Sequence, residues 1–575
     1  MKPFLVILLA LCCAGARAAP FPAYHISDPQ YALRFDGTLQ DPAWSRAAVS
    51  DGFFENLPLD RVAAGARTEV RVLYDSAYLY IGVKAYDPLP DAIRAPFARR
   101  DRISGEQDSV TFYLDATGGR KAAQLFRVNA RGSLSDGTYN DQAGEDLAPD
   151  VAFAARTAAF DGGWSAEIRI PYASLIYTDP ARTPWNLLVM RNMTRTQRVR
   201  MASQEMPRDT SCTLCYAEPI TGMRALEPSR SWSVIPQLVV RSSRDSAAGK
   251  GRDLTHDLSL DMEARVAAGT VLAATLNPDF SDTELDAPQL SGNTSFSLFT
   301  PEKRTFFLQG ADIFSMPQRA VHTRAVTDPA WGIRVTDRTQ NGATAALTAR
   351  DQGGGVVLIP GAYGTAYARQ NFNSQVTLVR STRRVGDTAL GAVLTDRTLE
   401  HGRGYNRVLG GDAVWQKGDG PRVQAQLLVS ETTALPDSAG ELAYGAARRG
   451  HAGYVDWMMQ APQWYGELSV QDISRNFRAD NGFFSQAGFT SVFGEVRRKF
   501  GKQGVLNAFN LYAFGENKTD TDGSVLFRGL GAGAWMQGPF DSTVNIQLKP
   551  VNRTRIRQGG PLFAPKQLWM RAEWT

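Results

Sequence analysis

The chain has 575 residues, of which 63 are Lys or Arg and 58 are Asp or Glu, so its net charge at neutral pH is only +5. This small excess gives no reason to expect nucleic-acid binding. A hydrophobic fraction of 43% is enough to bury a sizeable core, and 52 glycines with 10% aromatic residues favour β-sheets joined by tight turns.

The N-terminal segment is typical of an exported protein. Met1–Ala18 contains Lys2, an apolar run over Phe4–Ala14 and a small-x-small end at Ala16–Ala18, the three parts of a secretory signal peptide. We therefore expect residues 1–18 to be removed by cleavage before Ala19. No later apolar run reaches the roughly 18 residues that a spanning helix needs.

Residues 24–226 are predicted to form a soluble β-sandwich. Short strands rich in β-branched and aromatic residues alternate with turn signals such as Asp87-Pro88 and Gly118-Gly119. That spacing is typical of a β-sandwich. The predicted strands are Glu69–Tyr74, Ala77–Tyr86, Ser109–Asp115, Gln124–Ala130, Ala152–Thr157, Trp164–Pro171 and Asn186–Met193.

Near the end of this domain, Cys212 and Cys215 stand in the sequence SCTLC. A Cys-x-x-Cys pair can bind zinc, but the chain has no second pair of ligands at zinc spacing. In an oxidising compartment a disulfide is the favoured alternative. We therefore expect a disulfide between the two cysteines and no metal site.

Residues 230–575 change character. Over Leu258–Arg265 apolar side chains alternate with polar or charged ones, and Val423–Val429, Trp464–Gln471 and Val544–Lys549 repeat the pattern. Such alternation fits either a second soluble sandwich, which hides its apolar face, or a membrane β-barrel, which turns that face toward lipid. Strands of about nine to twelve residues, alternating short and long turns, and aromatic residues near strand ends favour the barrel.

As a barrel, this region would hold about 14–18 antiparallel strands. The even-numbered positions of Leu260–Ala264 would face lipid, and Asp261 and Glu263 would face the lumen. The last strand, Leu568–Trp574, either closes the barrel or belongs to one that continues beyond Thr575. The predicted fold class is therefore all-β, an N-terminal β-sandwich followed by a large transmembrane antiparallel β-barrel in the outer membrane.

Five motifs of the first domain occur in a specific order. They are FDGTLQDPAW (35–44), VRVLYDSAYLYIGVKAYDP (70–88), DSVTFYLD (108–115), LFRVNARG (125–132) and WSAEIRIPYASL (164–175). In this order they resemble the family 9 carbohydrate-binding module and its relatives. The resemblance implies a β-sandwich of the kind found beside glycoside hydrolases.

A second resemblance covers Leu276–Phe314, whose sequence is similar to the signature of a bacterial outer-membrane barrel family, domain of unknown function 5916. Members of that family regularly carry the barrel after a family 9-like module. Within the signature, Pro301–Arg304 could fold into the lumen as a plug or form a tight turn with solvated charges. An acidic run at Asp279–Asp286 lies just upstream and could pair with Lys303 and Arg304 inside the barrel.

The first resemblance also implies where a sugar would bind. Modules of this type hold a sugar between two tryptophans, supported by charged and amide side chains. Arg127 and Asn129 fall on the matching polar strand positions, but no tryptophan precedes DSVTFYLD, and Thr111 stands where a carboxylate is expected. We therefore expect the sandwich to bind simple sugars weakly or not at all.

A different polar site is conceivable in the same domain. Arg100, Asp101 and Asp108 lie close together in sequence and could form it. The same residues could equally form structural ion pairs or cap loops, because ion-pair networks imitate functional sites. Trp44 and Trp164 are interpreted as core residues, since buried aromatic residues usually serve packing.

The sequence identifies no catalytic residue, cofactor or metal ligand. No paired carboxylate motif, G-x-S-x-G elbow or phosphate-binding loop occurs. The leading hypothesis is an outer-membrane protein that contacts lipid and binds or passes a glycan or another polar solute, with no nucleic-acid partner. The alternatives are a surface-anchored protein of carbohydrate catabolism acting on O-glycosyl bonds, and an envelope assembly or secretion barrel with a protein-binding sandwich.

Overall fold

The computed structural model describes residues 20–28, 31, 33–226, 231–244, 252–278 and 295–574. The predicted signal peptide and the acidic run at 279–286 lie outside the described residues. The described chain is nearly all β, with an N-terminal sheet followed by a large antiparallel C-terminal sheet, which confirms the predicted all-β class. Among these residues, no helix combines the length and the apolar character needed to cross a membrane.

The N-terminal domain is a 14-stranded sheet with one short helix, α1 at Pro42–Arg46. Its strands are β1 Phe21–His25, β2 Phe54–Leu57, β3 Val62–Ala63, β4 Thr68–Tyr74, β5 Tyr78–Tyr86, β6 Ser109–Asp115, β7 Ala122–Asn129, β8 Leu134–Asn140, β9 Gly144–Asp146, β10 Ala154–Phe160, β11 Gly163–Pro171, β12 Asn186–Thr194, β13 Arg198–Ala202 and β14 Glu218–Thr221. Single 3-10 turns lie at Pro90–Ala92, Tyr172–Ser174 and Thr213–Tyr216.

This sheet folds into two layers around one core. The strand order is β10-β11-β5-β4-β1-β14-β12-β6-β7-β8-β9, with β13, β2 and β3 branching from β12. Val70, Ile81 and Ile168 of one layer belong to the same buried cluster as Phe112 and Val189 of the other. The alternation of apolar residues along these strands places one face of each layer in the core.

The first strand, β1, joins the two layers. It is parallel to both neighbours: Phe21 and Pro22 pair with the last strand, β14, and Ala23–His25 pair with β4. Every other pairing in the domain is antiparallel. A five-residue strand therefore carries the connection between the two halves of the sandwich.

The C-terminal region is a 16-stranded sheet that is antiparallel throughout, and a separate hairpin lies beside it. The sheet strands are β15 Ser231–Arg244, β16 Arg252–Ala267, β17 Thr270–Leu276, β18 Pro329–Thr339, β19 Gly342–Asp351, β22 Ser374–Val385, β23 Thr388–Leu399, β24 Gly404–Gln416, β25 Arg422–Pro436, β26 Leu442–Gln460, β27 Trp464–Ile473, β28 Phe489–Lys499, β29 Ala508–Asp520, β30 Val525–Gln537, β31 Thr543–Thr554 and β32 Gln567–Glu573; the hairpin is β20 Gly355–Pro360 with β21 Thr365–Gln370, and helix α2 is Thr305–Leu308. Sixteen strands fall within the predicted range. In the described residues, β15 pairs with β16 alone and β32 with β31 alone.

The outer face of this sheet carries exposed apolar side chains along almost every strand. They alternate with inward side chains, as the pleat requires. They include Trp232, Val234, Leu238, Leu258, Leu272, Ile333, Val335, Leu390, Leu394, Leu409, Leu427, Val429, Val455, Leu468, Val470, Val492, Val496, Leu511, Leu530, Ile546, Leu548, Leu568 and Met570.

The inner face encloses parts of the long connections. Buried residues of strands β19 to β28 form one cluster with Phe307, Ile313 and Phe314 of the β17–β18 connection and with Phe477 and Phe484 of the β27–β28 connection. Because strands this far apart in the sheet contact the same segments, the sheet curls around them.

Arginines of the strands tie these segments in place. Arg334 of β18 donates to the backbone oxygen of Phe306, and Arg397 of β23 donates to the backbone oxygen of Ala325 at 2.6 Å. On β16, the Glu263 carboxylate accepts a hydrogen bond of 2.8 Å from Gln309. Glu263 therefore points to the inner side, as the alternation predicts.

The Pro301–Arg304 stretch belongs to this inner packing. The Arg304 guanidinium donates to both carboxylate oxygens of Glu302 at 2.8 Å and to the backbone oxygens of Thr323 and Val326. Arg304 and Glu302 are nearly excluded from solvent. Glu302 and Arg304 thus anchor the enclosed segment, whereas Lys303 between them is exposed to solvent.

Candidate functional site

Arg127, the first predicted sugar ligand, is engaged by protein groups. Its Nε donates to Thr111 Oγ1 at 2.8 Å, and its Nη2 donates to both oxygens of Glu145 at 2.7 and 2.8 Å. The same carboxylate accepts a hydrogen bond of 2.6 Å from the Tyr113 hydroxyl. Strand β9 therefore supplies the carboxylate that the sequence lacks at Thr111, but this carboxylate is paired with Arg127.

The face of the sandwich that carries Arg127 and Thr111 is covered by other parts of the chain. Tyr113, Leu125, Leu188 and Met190 form a second apolar cluster with Leu214 and other residues from the segment that carries the cysteines. A sugar would need an open aromatic surface here. The structure places a packed interior in that position.

The tryptophans of the sandwich are all in its core. Trp44 donates through Nε1 to Glu167 at 2.5 Å, and Trp185 donates to the backbone oxygen of Thr178 at 2.8 Å. These two and Trp164 are at most 2% exposed. None of them can stack on a sugar, which agrees with the interpretation of Trp44 and Trp164 from sequence.

Asn129, the second predicted ligand, holds the turn after β7. Its Oδ1 accepts hydrogen bonds from the backbone N–H groups of Arg131 and Ser133 at 3.1 and 2.9 Å. Its Nδ2 donates to Pro96 O and Gln107 Oε1 at 2.9 and 3.0 Å. Both ends of the amide are used, so this residue serves the fold.

The structure separates the remaining three predicted residues. The buried Asp108 accepts hydrogen bonds from Arg195 and from the backbone N–H of Arg94. Burial raises the pKa of Asp108, although the Arg195 guanidinium opposes this effect. Arg100 and Asp101 lie elsewhere, around Asp136.

The group around Asp136 has the composition of a cation site. Carboxylate oxygens of Asp101, Asp136 and Asp150 lie within 4.8 Å of one another. However, the Arg100 guanidinium lies 2.5 Å from Asp136 Oδ1, and Asp101 Oδ1 accepts the backbone N–H of Asp136. An arginine thus already supplies the positive charge, and the group acts as an ion-pair network.

Functional groups converge instead where the sandwich meets the 16-stranded sheet. The sulfurs of Cys212 and Cys215 are bonded, and the loop they close rests on the β24–β25 turn. Asp419 in that turn accepts hydrogen bonds from Thr210 Oγ1 and Ser211 N at 2.9 Å and from the Tyr216 hydroxyl at 3.2 Å. This loop is therefore a docking element of the sandwich.

Other turns of the same rim also contact the sandwich. Asp541 in the β30–β31 turn accepts the backbone N–H of Arg198 at 2.8 Å, and Lys499 lies 2.8 Å from Asp209. A Cβ at Gly119 would lie 2.5 Å from the backbone oxygen of Gln340 in the β18–β19 turn. The sandwich therefore sits directly on this rim.

A cavity of about 970 Å³ lies at this junction, and we call it the vestibule. Lys121 and Arg120 line it from the sandwich, and Arg338, Arg380 and Arg384 line it from the strands. Sequence reasoning missed this site because its two walls come from different domains.

A second cavity of about 500 Å³, the inner cavity, continues from the vestibule into the space that the sheet encloses. The two cavities share Gln142, Ser315 and Arg422 in their walls. Together they form a recess that leads from the sandwich toward the enclosed segments.

Comparison with known proteins supports one of the two sequence resemblances. Residues 35–220 match the family model described as carbohydrate family 9 binding domain-like, which confirms the resemblance of the N-terminal domain. The match does not extend to the 16-stranded sheet, so the similarity of Leu276–Phe314 to the barrel family stays a prediction. No curated protein matches the chain.

Three solved structures are similar to parts of the chain. A family 9 carbohydrate binding module from Caldicellulosiruptor kristjanssonii in complex with cellotriose is 16% identical, covers 34% of this chain and 88% of its own, and has a TM-score of 0.25. The same organism's family 9 module in complex with glucose is 17% identical over 36% of this chain and 95% of its own, with a TM-score of 0.25. The structure of Acinetobacter baumannii OccAB4 is 7% identical over 81% of this chain and 98% of its own, with a TM-score of 0.28.

Proposed function

We propose that this chain is an outer-membrane β-barrel protein that binds or passes a glycan or another polar solute, with its carbohydrate-module-like sandwich covering one mouth of the barrel. The observation that carries the proposal is the outer face of the 16-stranded sheet. Apolar side chains are exposed there on strand after strand, while arginines, glutamines and carboxylates lie on the inner side.

The free-energy cost of exposing so much apolar surface to water supports a membrane location for this face. A contiguous apolar surface that wraps a whole sheet is far larger than the few hundred Å² that soluble proteins usually expose. In a bilayer, the same surface is favourable, and a charge at its midplane would cost about 2–4 kcal/mol. The inward placement of Glu263, Arg334 and Arg397 avoids that cost.

The lengths of the connections support a periplasmic position for the sandwich. At the rim that contacts it, strands are joined by short turns such as 340–341, 386–387 and 461–463. At the opposite rim, connections such as 474–488 and 555–566 are longer. Outer-membrane barrels have short periplasmic turns and long extracellular loops.

The vestibule and the inner cavity support a role in handling a polar solute. They lie where the sandwich covers the barrel mouth, and they connect the two domains. The face of the sandwich around Arg127 is covered by other residues, which argues against the sandwich holding a sugar in the manner of its relatives. We therefore place the solute in the recess.

The membrane location can be tested with two cysteine variants of one strand. Leu468 of β27 is 50% exposed on the outer face, whereas Gln471 lines the inner cavity. In isolated outer membranes, a water-soluble maleimide should label Gln471→Cys and leave Leu468→Cys unlabelled until the membrane is dissolved. Faster labelling of Leu468→Cys, or recovery of the chain in the soluble fraction, would replace the barrel with a second soluble sandwich.

A further inference from the structure

We propose that the vestibule and the inner cavity form a binding path for anionic solutes, namely saccharides or smaller molecules that carry carboxylate or phosphate groups. This inference rests on the proposed function and specifies its substrate class. It follows from the charges and the hydrogen-bond donors of the two cavities, and from the absence of aromatic residues among the described residues that line the vestibule.

Positive side chains outnumber negative ones around the vestibule. Seven Lys or Arg residues and four Asp residues line it. Two of the carboxylates are neutralised within the wall, because Asp412 accepts from Arg380 and Asp312 accepts from Arg338. Asp141 accepts hydrogen bonds from the Thr213 N–H and the Tyr139 hydroxyl.

Four cations of the vestibule form no direct ion pair in the part of the chain that the structure describes, although the carboxylates of Asp141 and Glu218 act on Lys121 and Arg120 over a longer distance. They are Arg120, Lys121, Arg383 and Arg384. Lys121 and Arg384 come from different domains and repel each other across the cavity. Burial, and secondarily Arg384, lower the pKa of Lys121 to about 8, although Asp141 opposes this effect, so most copies still carry the charge at neutral pH. An oxyanion between the two groups would relieve this repulsion.

The inner cavity continues the same chemistry. Arg319, Arg422 and Lys518 line it, and among its described lining residues none is Asp or Glu. Amide side chains of glutamines supply further donors, and Lys518 Nζ donates to Gln486 Oε1 at 2.8 Å. Rings of Arg and Lys are the usual lining of pores that select anions.

A neutral sugar fits the vestibule poorly. Sites for neutral sugars offer aromatic faces together with a few polar groups. None of the described residues that line the vestibule is aromatic. The lining of the vestibule therefore suits recognition of charge rather than stacking on the apolar face of a sugar ring.

The test compares two trisaccharides that differ in charge, trigalacturonate and maltotriose, and adds inorganic tripolyphosphate as a probe without sugar. Binding to the full chain in detergent micelles is measured by calorimetry at low ionic strength, where charge interactions are least screened. We expect trigalacturonate or tripolyphosphate to bind and maltotriose to show no binding. Which of the two anions binds more tightly assigns the site to carboxylate or to phosphate.

The double variant Lys121→Gln/Arg384→Gln should weaken anion binding by at least about tenfold for each cation removed. Lys518→Gln tests the inner cavity separately and keeps the test decisive if the double variant fails to fold. The matched control, Lys566→Gln/Arg557→Gln, removes the same charge from an exposed connection at the opposite rim and should not change binding.

Three results would overturn the inference: no binding of either anion, maltotriose binding as tight as trigalacturonate binding, or equal weakening in the control. None of them bears on membrane insertion, which the maleimide labelling decides. A failure of the anion path is therefore distinguishable from a failure of the barrel itself.

Discussion

Asp419 is the residue on which docking of the disulfide loop depends most. Its carboxylate accepts hydrogen bonds from Thr210 Oγ1, Ser211 N, Ser211 Oγ and the Tyr216 hydroxyl. Asp419→Ala removes all of them at once, so the loop that contains Cys212 and Cys215 should detach from the rim. The fold of each domain should persist, because the residue lies in a turn.

The expected cost follows from these bonds. A hydrogen bond to a charged group contributes about 1.5–3 kcal/mol. Four bonds to one partly exposed carboxylate are not additive, and solvent screens them, so we expect a total of about 2–4 kcal/mol. At 1.4 kcal/mol per factor of ten, opening of the loop should become about 30-fold to 1000-fold more frequent.

Hydrogen exchange of the peptide over residues 208–217 measures this opening in the full chain. Asp419→Asn keeps one acceptor oxygen and should give an intermediate rate. The control is Asp437→Ala, which removes a carboxylate that caps the β25–β26 turn at the opposite rim. Unchanged exchange in Asp419→Ala, or an equal increase in the control, would refute the assignment of Asp419 as the docking group.

Three further predictions follow from other sites. Burial raises the pKa of Asp136 to about 6, above its value in the unfolded chain, so the contribution of this group to the free energy of unfolding should increase as the pH falls from 7 toward 4. In thermal unfolding of the full chain, Asp136→Asn should remove that contribution and leave the one from Asp141, whose pKa burial also raises to about 6. Gly119→Val should push the sandwich off the β18–β19 turn, seen as faster proteolysis between the domains, whereas Gly52→Val should not, since a Cβ there would meet nothing within 4 Å. Arg304→Met leaves the buried Glu302 without its partner and should lower stability by about 3–5 kcal/mol, measured by the midpoint of denaturant unfolding.

Much of the sandwich could be predicted from local pattern. The sequence predicts strand β6 at Ser109–Asp115, where it lies, because Val110, Phe112 and Leu114 recur at every second position before a turn-forming Asp. Strand β8, LSDGTYN, was missed because it is polar and contains a glycine. Its place in the sheet depends on pairing with β7, which local propensity does not encode.

The site was harder to predict than the fold. A polar residue at a strand position can bind a ligand or the chain itself, and for Arg127 the outcome depends on Glu145, which reaches it through two hairpins. The vestibule was even harder to predict from the sequence than the environment of Arg127. Lys121 and Arg384 approach each other only because two domains dock, and no spacing in the sequence signals that contact.

Strand β1 has a consequence for how the sandwich is made. It is the first strand of the domain to be synthesised, yet it pairs with β14, the last, so the two layers cannot join through it until the chain has been made from Phe21 as far as Ile220. Contacts so distant in sequence form slowly, because a long loop must close first. Until then β1 presents an unpaired edge, which is the feature that holding chaperones recognise and that aggregation exploits.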